Sequence, residues 1–271
     1  MSQLDSLPPL RESLADHGLL ADKSFGQHFL LDLNITRKIA RLAGPLEGQT
    51  VIEVGPGPGG LTRALVEAGA NVIAVEKDAR FLPLLNELAA VSDGRLTLVE
   101  ADALKVDEAA LAGGPGHVVS NLPYNVGTPL LIKWLTGPWR PVSMSLMFQK
   151  EVADRIAAPA GADAYGRLSV VSQALARAKV VMDLPARAFT PPPKVASAVV
   201  RLDPLADAPP AELIAALEKV TAAAFGQRRK MLRSSLRNLG GKALCEKAGI
   251  DPNVRAETVP VEGFLRLARA L

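Results

Sequence analysis

A single cysteine, Cys245, among 271 residues excludes an internal disulfide and suits a reducing compartment, so the cytoplasm is the expected location. Only three histidines occur, His17, His28 and His117, too scattered for metal-ligand spacing, and no metal site is expected. No run of eighteen apolar residues exists, so no membrane span is predicted. The stretch from Met1 to Lys23 carries Asp5, Glu12 and Asp16, where a secretory segment would be apolar. There is no internal repeat and no cysteine pairing of the kind a thiol nucleophile needs. What is abundant is apolar side chain, 48% of the chain, enough for the core of one large or two modest domains.

The formal charge is only +3, but it is unevenly placed. Residues 225–271 hold ten Lys and Arg against four Asp and Glu, whereas residues 1–224 hold 21 against 24. A basic C-terminal region on an otherwise slightly acidic chain points to a partner-binding role for that region.

Apolar periodicity organises the chain. Short strand-like runs at Thr50 to Val54, Asn71 to Glu76, Leu96 to Val99, the stretch before Asn121, and Val142 to Phe148 alternate with helical patterns. That alternation predicts an α/β fold with a parallel, doubly wound sheet. Residues 150–177 read as helix in two parts, broken at Pro159-Ala160-Gly161, and further strands are expected at residues 180–182 and 195–202. Asp203 to Pro210 contains three prolines and is the natural linker. Helical patterns alone follow, at 211–224, 228–238, 242–248 and 261–270, so residues 1–204 and 205–271 are the expected domains, the second small and all-helical.

Two stretches carry chemistry. The first is Asn121-Leu122-Pro123-Tyr124-Asn125, where Pro123 ends a strand because it cannot donate to the ladder. Residues at the carboxyl edge of an open α/β sheet are placed to meet ligands. An amide and an aromatic ring held there suit a flat substrate with an amino group: the amide oxygen accepts N–H bonds and the ring stacks. An ordinary turn is the plainer alternative. The second stretch is the loop Gly55-Pro56-Gly57-Pro58-Gly59-Gly60, which satisfies both the dinucleotide pattern and the G-x-G-x-G of S-adenosylmethionine enzymes. Three features favour S-adenosylmethionine. Glu53, inside the strand, needs donors or a positive charge, which a sulfonium with an ammonium supplies. Pro56 and Pro58 remove N–H donors that a pyrophosphate would use. Asp102, ending a strand, could accept from an adenine amino group. Glu76, 21 residues after Gly55, is placed for ribose hydroxyls.

With these motifs in hand, the chain resembles the small-subunit rRNA adenine dimethyltransferases, relatives of the erythromycin-resistance rRNA methyltransferases. Gly26-Gln27-His28-Phe29-Leu30, Glu53-Val54-Gly55-Pro56-Gly57, the Asn121 stretch, Phe148-Gln149-Lys150-Glu151-Val152-Ala153, Phe189-Thr190-Pro191-Pro192-Pro193-Lys194-Val195 and Phe225-Gly226-Gln227-Arg228-Arg229-Lys230 fall in family order over nearly the whole chain. Many relatives carry Asn at the position of His28. The resemblance implies a Rossmann-like S-adenosylmethionine-dependent methyltransferase. Its product would be two adjacent adenines, dimethylated on N6, in a hairpin loop near the 3′ end of 16S rRNA. It implies that Gln27, His28, Leu30, Gly55, Gly57, Glu76, Asp102 and Asn121 line the cofactor. Asn121, Leu122, Pro123 and Tyr124, with Phe189, would receive the flipped base. Lys194, Arg228, Arg229, Lys230, Arg233 and Arg237 are the expected RNA contacts, Arg229, Arg233 and Arg237 forming one stripe if residues 228–238 are a single helix. A monomer acting on an immature 30S subunit is the expected assembly. Methylation of large-subunit rRNA or DNA, and a role as an assembly factor with secondary catalysis, remain the alternatives.

Overall fold

The computed structural model describes residues 3–19, 28–227 and 229–271. The chain divides into two compact units, Met1–Lys150 with Val180–Leu202, and Glu151–Lys179 with Asp203–Leu271.

The first unit opens with helix α1 (Leu10–Asp16), the two-residue strand β1 (Phe29–Leu30) and α2 (Leu33–Leu42). Asp32 starts α2 by accepting from the Asn34 N–H at 2.8 Å, satisfying an amide that the first helical turn leaves open. The main elements follow in the order β2 (Thr50–Val54), α3 (Gly60–Glu67), β3 (Asn71–Glu76), α4 (Leu82–Ala90), β4 (Leu96–Glu100), α5 (Glu108–Ala112), β5 (His117–Asn121), α6 (Gly127–Thr136) and β6 (Ser143–Gln149). After α7 (Lys150–Ala157) and α8 (Arg167–Leu175) come β7 (Ala176–Leu184), β8 (Phe189–Thr190) and β9 (Ser197–Pro204). Seven strands form one sheet ordered β4-β3-β2-β5-β6-β9-β7, and β1 pairs separately with β8. The β2, β3, β4, β5 and β6 pairings are parallel, each joined through a helix, as the alternating pattern requires. Val51, Ile52, Val118, Met144, Leu146 and Val200 are fully buried, which explains the unbroken apolar runs.

The sheet is mixed, not purely parallel: β9 runs antiparallel to β6, from Met144↔Leu202 to Gln149↔Ser197. No α-helix lies between β7 and β9, so the crossover that a parallel return needs is missing. The direction of strand addition reverses between β2 and β5. The carboxyl ends of these two strands therefore flank the crevice where open α/β sheets take ligands.

One polar cluster fastens the first unit. Glu108 Oε1 accepts from Lys133 Nζ at 2.8 Å and from Trp134 Nε1 at 2.7 Å. Lys133 Nζ also donates to the Ala103 and Val106 carbonyls, at 3.0 and 2.7 Å. This ties the connection after β4 to α6, and both Glu108 and Trp134 are buried.

The second unit is mostly helical: α7 from Glu151, α8, α9 (Ala211–Phe225), α10 (Leu232–Ser235), α11 (Gly241–Lys247) and α12 (Val261–Ala270), with the start of β7. Residues 151–179, expected with the sheet, belong here by contact. The Tyr165 hydroxyl donates to the Val259 carbonyl at 2.9 Å, and Gly161 N–H to the Glu257 carbonyl at 2.8 Å. Phe225 packs against Tyr165 and Phe264, with ring centroids 6.0 and 5.3 Å apart. These side chains bury against one another, which no linker position in the sequence reveals. The single helix expected over 228–238 is also replaced, by the four-residue α10 and a 3-10 turn, Arg237–Leu239. Competing backbone bonds account for this: Leu232 and Arg233 donate to the Val254 and Pro252 carbonyls instead of to a preceding helical turn.

Glu108→Ala is expected to lower stability by about 3 kcal/mol, the cost of removing one partner from a buried charged pair. Equilibrium urea unfolding measures it, and a loss within the error of the parent value would contradict the role given to this cluster.

Candidate active site

A cavity of about 480 Å³ opens at the β2/β5 switch point. It is lined by His28, Phe29 and Leu30, Glu53, residues 55–58 with Gly60 and Leu61, Glu76, Phe81, and residues 121–125. Its size falls within the range of small-molecule sites, roughly 300–1,000 Å³.

The loop after β2 is shaped by close approach. A side chain on Gly60 would bring Cβ within 2.5 Å of the Leu30 carbonyl, so only hydrogen lets β1 lie across the start of α3. Gly55 has φ +66°, a left-handed conformation, and a Cβ there would press on Pro123 at 3.3 Å. The loop after β2 and the turn after β5 are thus in direct register.

Glu76, at the end of β3, is buried and its two oxygens are partnered. Oε2 accepts from the Gly57 N–H at 3.1 Å and Oε1 from the Asp78 N–H at 2.8 Å. Burial raises its carboxyl above the usual range, opposed by those two backbone donors. Glu53 lies deeper, at 2% exposure, and its Oε2 has no hydrogen-bond partner. Burial pushes its carboxyl up to about 8, opposed by the Thr62 side chain and reinforced by the neighbouring Glu76.

On the β5 side, Asn121 ends the strand and Pro123 turns the chain into α6. The Pro123 carbonyl accepts from the Val126 and Gly127 N–H groups, both at 3.1 Å, which locks the turn. The Tyr124 hydroxyl and Ser197 Oγ are 2.8 Å apart, and the Tyr124 ring lies 5.9 Å from that of His28. His28 Nδ1 is 2.8 Å from the Pro191 carbonyl. A carbonyl only accepts, so Nδ1 carries the proton and Nε2 is the ring's remaining nitrogen.

The structure thus brings His28, Leu30, Gly55, Gly57, Glu76, Asn121, Leu122, Pro123 and Tyr124 to one cavity. Gln27 lies outside the described residues. Asp102 does not line the cavity; its Oδ2 pairs with Lys77 Nζ at 3.0 Å and its Oδ1 accepts from the Leu104 N–H at 3.1 Å, and the ammonium holds its carboxyl below the usual range. Phe189 is buried at 2% exposure, in the same apolar cluster as Leu30, Val119 and Met147, instead of facing the cavity. Its backbone is held there by the pairing of Leu30 with Phe189 across β1 and β8. Lys194 is exposed in the first unit. Arg229, Lys230, Arg233 and Arg237 are exposed in the second, and Arg228 is outside the described residues. Ser197 and Phe81 join the site beyond the expected set; Ser197 meets Tyr124 across 73 positions, and nothing local in the sequence marks it. Among the described residues no cluster of potential metal ligands occurs.

A family model described as ribosomal RNA adenine dimethylase matches residues 18–271. The chain belongs to the ribosomal RNA adenine dimethylase family. This dimethylase-family chain is 71% identical over 268 residues to the ribosomal RNA small subunit methyltransferase A of Phenylobacterium zucineum (strain HLK1), spanning 98% of this chain and 94% of that protein. It is 74% identical over 251 residues to the protein of the same name from Caulobacter vibrioides (strain ATCC 19089 / CIP 103742 / CB 15), spanning 93% and 97%. Among solved structures, it superposes on a 23S rRNA methyltransferase, ErmE, with a TM-score of 0.70 at 26% identity, covering 90% of this chain and 99% of that one. A dimethyladenosine transferase from Plasmodium falciparum shares the fold, with a TM-score of 0.74 at 24% identity over 89% and 96% of the two chains.

The dimethylase cavity fits the family's cofactor, S-adenosylmethionine. An unpartnered carboxylate oxygen suits a cationic ligand, and the glycine turn leaves open the space that side chains would fill.

Glu76→Ala removes the carboxylate expected to accept from the cofactor's ribose hydroxyls, together with its bonds to the Gly57 and Asp78 amides. Hydrogen bonds to a charged group contribute about 1.5–3 kcal/mol, so cofactor affinity should fall roughly ten- to hundred-fold. Calorimetric titration with S-adenosylmethionine measures this, with a thermal melt to verify folding; a folded variant of parental affinity would remove Glu76 from the site.

Proposed function

We propose that this protein transfers methyl groups from S-adenosylmethionine to the exocyclic N6 of adenine in 16S rRNA, two to each of two adjacent adenines in a hairpin loop near the 3′ end. We further propose that it acts as a monomer, in the cytoplasm, on an immature 30S subunit. The observation that carries the reading is that the glycine loop with its two carboxylates and the Asn121-Leu122-Pro123-Tyr124 turn line one cavity. Family membership and identities of 60–74% to proteins named for the ribosomal small subunit support rRNA of that subunit as the substrate.

The bound cofactor supplies an electrophilic methyl group on sulfur. The rest falls to this chain. Adenine's exocyclic amine is a poor nucleophile because its lone pair is delocalised into the ring. Asn121 Oδ1 and the Leu122 carbonyl accept its two hydrogens, which favours a more tetrahedral nitrogen and stabilises the positive charge that develops on it. Acceptors on a strand end locked by Pro123 need little reorganisation. Tyr124 offers its ring to the base, a stack worth about 1–3 kcal/mol, with Ser197 fixing the hydroxyl. Phe189 contributes from behind, in the core cluster that backs Leu30. Glu76 holds the ribose, and Asp102 accepts from the cofactor's adenine amino group with lone pairs not used by Lys77 and Leu104. A paired base cannot reach such a cavity, so the target is unpaired or flipped. Lys194 and the exposed basic residues of the second unit contact phosphates.

Asn121→Ala should lower methyl transfer to unmethylated small subunits at least 100-fold, by analogy with the loss of a donor that stabilises transition-state charge, while leaving rRNA binding near normal. Labelled methyl groups should appear on 16S rRNA and not on 23S rRNA or DNA; label confined to 23S rRNA would assign the resistance-type activity instead. If Asn121→Ala supported small-subunit maturation as well as the parent, an assembly role would come first.

Replacing Arg229, Arg233 and Arg237 together by Gln should flatten the dependence of log affinity on log salt by roughly 2–3 units, about one for each phosphate that is no longer neutralised. Filter binding to ribosomal substrate over a salt series measures it. A parental affinity and slope would place the RNA surface elsewhere.

A further inference from the structure

Glu53 is a buried ionisable group of the cavity that the transfer step leaves unused. It sits in β2, two residues before Gly55, and its side chain lines the cavity although the residue is only 2% exposed. Its Oε2 has no hydrogen-bond partner. The Thr62 side chain favours its charged form, but burial outweighs that contact, and a carboxyl so placed takes up a proton instead of keeping its charge.

Its surroundings point the same way. Among the described residues, the titratable groups sharing the cavity are Glu76, His28 and Tyr124. Glu76 is the second carboxylate, and it holds two backbone N–H donors where Glu53 Oε2 has none. When two neighbouring carboxyl groups compete to stay ionised, the one with donors wins. His28 already commits Nδ1 to the Pro191 carbonyl. On α3, the buried Arg63 turns its Nη1 to the Pro8 carbonyl at 2.8 Å, and the carboxylates that support its charge are Glu67 and Glu87. Burial pushes Glu53 up to about 8, with Glu76 adding to it.

We propose that Glu53 carries a proton in the free protein and releases it to solvent as S-adenosylmethionine binds, so that cofactor capture is coupled to loss of one proton. The inference rests on the methyltransferase reading above. The cofactor brings a sulfonium and an ammonium into the cavity. A cation there favours the ionised carboxyl, and the O–H proton leaves as hydronium or to buffer while the carboxylate becomes the cation's partner. Free cofactor is thus held by a charge that did not exist before it arrived.

The sign follows from linkage. Below about pH 8 the free protein must lose a proton to bind, so affinity rises as pH rises, by up to about tenfold per unit, and levels off above it. Titration calorimetry on the full chain at pH 7, in phosphate and in Tris, reads the proton directly, because the two buffers differ in ionisation enthalpy. The expected result is close to one proton released per cofactor bound, falling toward zero well above pH 8. Glu53→Gln, isosteric with the protonated carboxyl, should keep the parental melting temperature at low pH, bind with an affinity flatter in pH, and release about one proton fewer. The cofactor's own amino group is common to both measurements, so the difference belongs to Glu53. S-adenosylhomocysteine, which lacks the sulfonium charge, locates the partner: release with both ligands assigns the ammonium, release with S-adenosylmethionine alone assigns the sulfonium. Buffer-independent enthalpies in the parent, or equal release by Glu53→Gln, would overturn the proposal while leaving the methyltransferase reading intact. No binding of either ligand to the folded parent would overturn both.

Discussion

Two carboxyl groups, Glu53 near the end of β2 and Glu76 at the end of the adjacent parallel β3, are buried at one edge of the sheet, and the first unit must accommodate both. Unpaired charge in such a place costs several kcal/mol, so each must find donors, a cation or a proton. Glu76 finds donors in the Gly57 and Asp78 amides, the first from a loop position that carries no side chain. Glu53 finds no partner for Oε2. The resulting cavity prefers a ligand that donates or carries positive charge, and the glycine turn cannot be widened or narrowed without disturbing Leu30 or Pro123.

The turn that would meet the substrate is held from far along the chain. Tyr124 is anchored by Ser197, His28 by Pro191, and β1 by β8, across separations of 73 residues or more. These contacts matter for the proposed chemistry, in which the acceptors on Asn121 and Leu122 would act by position: a displacement of an ångström would lose their alignment with an amine. The Pro123 carbonyl, spent on the first amides of α6, removes the turn's main freedom.

The second unit answers a different demand. Its core is aromatic and aliphatic, with Tyr165, Phe225 and Phe264 in contact, and its basic residues are left at the surface. Exposed arginines contribute little to folding, so those near residues 229–237 are free for the phosphate contacts proposed above.

The amino-acid sequence by itself determined the strands at Thr50–Val54, Asn71–Glu76 and His117–Asn121, the glycine turn after the first, and the strand-ending turn at Pro123. Each depends on residue type and periodicity within a few positions: β-branched runs extend, glycine permits positive φ, proline stops a ladder. Those local facts, with the family resemblance, are enough to assemble most of the cavity. Only the tertiary structure decided the rest. It set the antiparallel direction of β9, placed residues 151–179 with the C-terminal helices, and divided the expected helix at 228–238 by bonds to Pro252 and Val254. It also sent Phe189 into the core, tied Asp102 to Lys77, and gave Tyr124 its partner in Ser197. In every such case the deciding contact joins segments that lie apart in the chain, and its energy depends on packing and hydrogen-bond partners that no local pattern of residues encodes.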